Sequence, residues 1–253
     1  MIDQSVRFAN LTYEEVRERA KAGALAVVPT GCTEQQGPHL PVGFDTLFSE
    51  AVAVAAAEEL SGAAGIRVVV LPALPFGPTP EHRNYGAGYV DLPRELHDAV
   101  VRSVLESLAD QGFRRIVLWR GCGGHDLRKV VEAFNSSQTG KAHAYLPQMP
   151  YHAIWCRVGE PDNQGGHADA FATSIALHLK PELVRRDRIE RTAQRPIDWS
   201  DPQLDFARYS QSGVIGDPTI ASAELGKRLW SEVIRETAAM LSGIALGDPD
   251  ARR

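Results

Sequence analysis

An α/β fold with a mostly parallel sheet is predicted for this chain by two features. Compact apolar runs alternate along it with amphipathic helical stretches, and the first such run, Ala24 to Val28, has no period-two polar alternation, as suits a strand covered on both faces. The 253 residues, 43% of them hydrophobic, suffice to bury one full core, so a single domain over residues 1–253 with helices on both sheet faces is expected.

Each element has a local reason. Thr12, with Glu15 three residues on, forms a capping-box pattern that opens a helix from Tyr13 to Ala22, and Gly23 closes it. The strand Ala24 to Val28 ends at Pro29 and Gly31. Thr46 to Leu60, rich in Ala and Glu and free of Gly and Pro, reads as the next helix, followed by a strand at Val68 to Leu71. Pro72 to Gly88 is a long loop punctuated by Pro and Gly, of a length that usually carries function. Leu92 to Asp110 places Leu96, Val100, Val104 and Leu108 on one helical face. The strand Arg115 to Trp119, the glycine-rich turn Gly121 to Gly124 and the helix Leu127 to Phe134 make another β-loop-α unit. A strand at Ala142 to Leu146, a helix at His167 to Leu179 and a last helix at Ala221 to Leu241 complete the prediction. Asp187 to Gly216 is polar, interrupted and the least readable stretch.

Composition narrows the function. A formal net charge of -5 gives no positive footprint for nucleic acid or an anionic membrane, so a small-molecule substrate is expected. Cys32, Cys122 and Cys156 are odd in number and lack a CxxC pair, which points to a reducing cytoplasm rather than a disulfide framework. Met1 to Asn10 is polar and mixed, so no secretion signal is predicted, and no apolar run approaches the ~20 residues that span a bilayer.

The chemistry concentrates where the first strand ends. The segment V-P-T-G-C-T-E-Q-Q-G-P-H-L-P-V-G-F-D-T, from Val28 to Thr46, puts Glu34, His39 and Asp45 on one loop. Open α/β sheets place their sites beyond the carboxyl ends of their strands. His39 lies between Pro38 and Leu40 and is expected to orient the loop, and Asp45 would serve equally as an N-cap of the helix from Thr46. His97, His143, His152 and His178 carry no motif and read as surface or packing residues.

Five ordered blocks together resemble the creatininase (creatinine amidohydrolase) family. Glu34-Gln35-Gln36-Gly37-Pro38-His39-Leu40-Pro41 with Asp45-Thr46 is similar to its E-Q-H-G-P-H-L-P and D-T. Pro80-Glu81-His82 resembles its middle-loop E-H, and Gly121-Cys122-Gly123-Gly124 falls where it has N-G-H-G-G-N. His167-Ala168 with Thr173-Ser174 resembles H-A-G-x-x-E-T-S, and Gly213 to Gly226 resembles its C-terminal glycine block. The resemblance implies a metal-dependent amidohydrolase, often a homo-oligomer, in which two divalent ions activate water against a cyclic amide or a related C–N bond. It implies metal ligands at Glu34 and Asp45, and a catalytic histidine at His167. Gln36, Cys122 and Ala172 replace a His, a His and a Glu of the family pattern, so the usual two-ion site is altered.

Three readings of the altered site follow. One ion, zinc or manganese, is held by Glu34, Asp45 and Cys122 or His125, with His167 moving protons in hydrolysis or the reverse ring closure. Alternatively no metal binds and Cys122 is a nucleophile on the glycine-rich turn, with His125 or His167 as its base. In the third, the fold survives as a non-catalytic binding or subunit-interaction protein. Substrate contacts are expected from His82, Tyr85, Gln36 and Trp155.

Overall fold

The computed structural model describes residues 5–63, 65–138, 140–159, 165–193, 195–201 and 203–247. Its centre is a four-stranded, all-parallel sheet: β1 (Leu25–Thr30), β2 (Val68–Val70), β3 (Arg115–Arg120) and β4 (His143–Tyr145), in spatial order β2-β1-β3-β4. Parallel neighbours need crossovers, and helices supply them: α1 (Tyr13–Lys21), α2 (Phe44–Ala63), α3 (Arg94–Asp110), α4 (Arg128–Gln138), α5 (Tyr151–Val158), α6 (Ala170–Leu179) and α7 (Ala223–Leu246).

Side chains that alternate across each strand feed two separate cores. Leu25, Val27, Val117 and Trp119 pack with residues of α2, α5, α6 and α7. Ala26, Val28, Ile116 and Leu118 face the other way, onto α1, α3 and α4. Every residue of β1 is buried, which is the doubly covered strand the sequence predicts. The capping box at Thr12 and Glu15 also forms.

Two boundaries differ from the sequence reading, and both matter for the site. The sixth helix starts at Ala170 rather than His167, because the Asp169 side chain accepts from Ala172 N and caps it there. His167 therefore lies on extended chain bridged antiparallel to Ile215, and Ala168 beside it takes a left-handed φ of 50°. Asp45 sits inside the first turn of α2 instead of ahead of it, so it is not that helix's N-cap. Helix α5 was not expected; it is only eight residues long, and it buries Ile154 and Trp155.

Candidate functional site

The loops that leave β1 and β3 at their carboxyl ends close over a cavity of about 520 Å³, whose lining includes Glu34, Gln36, Asp45, His82, Cys122 and His167. The β1 loop is fixed by backbone bonds, Gly31 N to Leu74 O at 2.8 Å and Glu34 N to Val42 O at 3.0 Å. His39 ties it to α6 through Nε2 and Thr173 Oγ1, 2.8 Å apart, which is the orienting role expected of it.

Glu34 is the centre of the site. Its Oε2 receives Cys32 Sγ at 2.9 Å, His82 Nε2 at 3.4 Å and Cys122 Sγ at 3.7 Å, while Oε1 faces Gln36 Nε2 at 3.3 Å and His167 Nδ1 at 3.5 Å. Asp45 converges on the same point, its Oδ2 lying 3.1 Å from Cys32 Sγ and its Oδ1 accepting from Gln36 Nε2 at 3.1 Å. Gln36 thus spans the two carboxylates with its amide nitrogen and presents no oxygen to them. Burial opposes the charge on Glu34, but the His82 hydrogen bond and the neighbouring histidines hold its carboxyl down at about 2. Burial and the Glu34 charge push Asp45 well above the usual carboxylate range. Of the two carboxyls, Glu34 is thus the one that holds its charge more readily.

Gln35 sets the histidine tautomers. Its Oε1 accepts from Gly37 N at 2.9 Å, which leaves the amide nitrogen to face His82 Nδ1 at 3.0 Å. His82 accepts there and so donates from Nε2 to Glu34. The backbone carbonyl of Gln35 lies 2.7 Å from His167 Nε2. A carbonyl only accepts, so the His167 proton resides on Nε2 and the Nδ1 lone pair is turned toward Glu34. Burial lowers the His167 pKa to about 4, so the ring is neutral near pH 7.

Trp155 lines the cavity. Tyr85 is not among the lining residues: its hydroxyl donates to Ser210 O at 2.5 Å, because the short 3-10 helix Pro80–Tyr85 ends by turning it toward the 205–213 segment. His125 is buried behind the cavity, its ring 4.8 Å from that of His97, and among the described residues neither ring nitrogen has a hydrogen-bond partner. It is therefore not hydrogen-bonded to Cys122 as a base. At Cys122 the neighbouring Cys32 thiol favours the thiolate, but burial and the Glu34 and Asp45 charges outweigh it and push the thiol up to about 12. A thiol that keeps its proton lacks the activation a nucleophile needs.

Sequence reasoning missed four participants. Cys32 is fully buried, and its Sγ bonds both carboxylates. Phe206 packs on the His82 and His167 rings at 4.8 and 5.1 Å, and Trp199 stacks edge-on against Phe206 at 5.8 Å. Both lie in the stretch that carried no legible pattern. His152, read as a surface or packing residue, lines the cavity.

A divalent ion fits the donors present. Single ligand atoms of Cys32, Glu34, Asp45 and Cys122 lie within 4.8 Å of one another, and thiol and carboxylate groups are donors that a divalent ion such as zinc takes. Glu34, His82 and His167 meet the same spacing.

Comparison with known proteins agrees with this picture. The creatinine amidohydrolase family model matches residues 9–241. The mycofactocin precursor peptide peptidase of Mycolicibacterium smegmatis is 32% identical over 219 residues, covering 85% of this chain and 83% of that protein. The creatinine amidohydrolase of Pseudomonas putida is 26% identical over 263 aligned residues, covering 96% of each chain. A solved creatininase variant of the Zn-Zn type superposes with a TM-score of 0.79 at 23% identity, covering 98% of this chain and 100% of that one, which shows the shared fold.

Proposed function

The chain belongs to the creatininase family of amidohydrolases, and on that footing we propose that it cleaves the C–N bond of a small cyclic amide or a closely related substrate, or closes such a ring in reverse. The observation that carries this reading is the convergence of an ionised carboxylate, Glu34, with a neutral imidazole, His167, on a cavity floor where four metal-binding donors already cluster.

Each residue has a definable part. His167 lines the cavity and its Nδ1 is free of a proton, so it takes one from an attacking water and returns it to the departing nitrogen. Its Nε2 stays anchored on the Gln35 carbonyl throughout, and Glu34, 3.5 Å away, offsets the charge while the ring is protonated. Glu34, Asp45 and Cys122 would hold a divalent ion, which supplies the Lewis-acid charge that brings a water pKa from ~15.7 toward ~7. Phe206 and Trp199 limit solvent at the histidines and offer an apolar wall to a flat substrate. The relatives' names speak of a precursor peptide and of creatinine. Both contain an amide-type C–N bond, which is the chemistry the site is suited to.

The test is a panel of cyclic amides, cyclic ureides and short peptides, incubated with metal-replete protein and read by NMR for new carboxylate and amine. His167→Asn should lower turnover of any accepted substrate by about 10²–10⁴-fold while the fold persists. Metal analysis should find a divalent ion in the wild type and much less in Glu34→Ala. A folded, metal-replete wild type inert toward the whole panel would remove the proposal.

A further inference from the structure

Two sulfurs and a stranded imidazole distinguish this site. Cys32, Cys122 and His125 each place a ligand atom within 4.8 Å of the other two, and all three are buried. His125 is 1% exposed, and among the described residues both its ring nitrogens lack a hydrogen-bond partner. By contrast, His82 and His167 are anchored through Gln35 and His39 through Thr173. Buried polar atoms are paired as a rule, and an exception calls for a partner of another kind. The ring also has room made for it: a Cβ on Gly77 would lie 2.2 Å from His125 Nε2.

We propose that Cys32, Cys122 and His125 bind a thiophilic divalent metal of the zinc class at the back of the cavity, with Glu34 and Asp45 at its front. The inference rests on the hydrolase reading in that this ion is the one the reaction uses. Its anchoring ligands are then Cys32 and His125 together with Cys122, the first two lying behind the lining, and this donor set selects the class of metal. Thiolate and imidazole donors favour zinc and cobalt over manganese and magnesium, which prefer oxygen. The same two sulfurs belong both to this triad and to the group with Glu34 and Asp45. The ion is therefore gripped by sulfur, and its cavity side is left to the carboxylates. Binding replaces each S–H proton by a metal–sulfur bond and releases that proton to solvent, with no change of oxidation state.

The experiment uses the full chain, stripped of metal under reducing conditions and titrated with Co(II) as the probe. Sulfur-to-cobalt charge-transfer absorption in the near ultraviolet should rise to saturation, then vanish on adding Zn(II) and persist on adding Mn(II). Cys32→Ser and Cys122→Ser should each remove about half of the band, Cys156→Ser none of it, and His125→Ala should weaken cobalt binding at least tenfold. Should the serine variants unfold, zinc-edge absorption fine structure on the wild type still decides, with two sulfur neighbours expected at about 2.3 Å. Cobalt bound without the charge-transfer band, or a zinc shell without sulfur, overturns the thiolate site while the hydrolase reading stands if turnover remains. Failure of the folded wild type to take up cobalt or zinc overturns both.

Discussion

Gln35 fixes two imidazoles at once, one through its side chain and the other through its own backbone carbonyl. Its Nε2 lies 3.0 Å from His82 Nδ1 and 3.3 Å from Gly213 O, and its backbone oxygen lies 2.7 Å from His167 Nε2. Such outer partners of functional histidines are typically worth about 10–100-fold in activity. Gln35→Leu keeps the carbonyl but loses the amide, so kcat should fall within that range with KM nearly unchanged. Gly213→Ala should behave alike from the opposite side, since φ is 83° there and the added Cβ would fall 1.9 Å from Gln35 Oε1. Steady-state kinetics, with circular dichroism to confirm folding, check both. The sequence made Glu34, Asp45, Cys122 and His167 legible because motif blocks contain them. It could not show that Cys32 folds back on both carboxylates, that His125 turns away from the cavity, or that Tyr85 is occupied by Ser210. Those facts depend on side-chain direction, which spacing along a loop does not encode.

Among elements, the strands and the long helices were legible because burial on both faces and the 3.6-residue period both leave a mark in sequence. Helix α5 was not, being two turns long between Pro150 and Gly159 with no side-chain cap at its start. Helix α6 starts three residues beyond His167, because Asp169 caps it there and the apolar pattern alone does not mark that cap. That shift is what frees His167 to approach Glu34. Helix α6 is in turn held by the 24-residue α7, capped by Ser222 and ended by Gly247, and the two cross at Gly226. A Cβ at Gly226 would lie 1.9 Å from Ser174 O, a backbone atom that no rotamer change can move. Gly226→Ala should therefore destabilise by about 1–3 kcal/mol through overpacking and shift α6 together with Thr173, the anchor of His39. Urea unfolding measures the loss.

For the molecule as a whole, the cost of enclosing this chemistry is a set of histidines that the fold keeps neutral. Burial holds His39, His125 and His167 at about 4, against ~6.5 in the unfolded chain. Between those values the unfolded state binds protons that the native state refuses, so stability must rise with pH from about 4 to 6.5 and fall as acid is added. Glu34, held at about 2, adds a further loss at lower pH, as the unfolded carboxyl takes up its proton first. Asp45 acts oppositely, its raised pKa giving stability that is lost as pH climbs. His39 isolates the effect, since it lies outside the donor cluster and keeps one hydrogen bond, to Thr173. Its shift corresponds to about 3 kcal/mol of stability present at pH 7 and gone near pH 4. His39→Gln can retain the Thr173 bond but cannot titrate. Denaturation of the metal-free protein across pH 4 to 7 should thus be less steep for the variant, by up to ~1.4 kcal/mol per pH unit. Parallel curves would mean that His39 is protonated in the native state despite its burial.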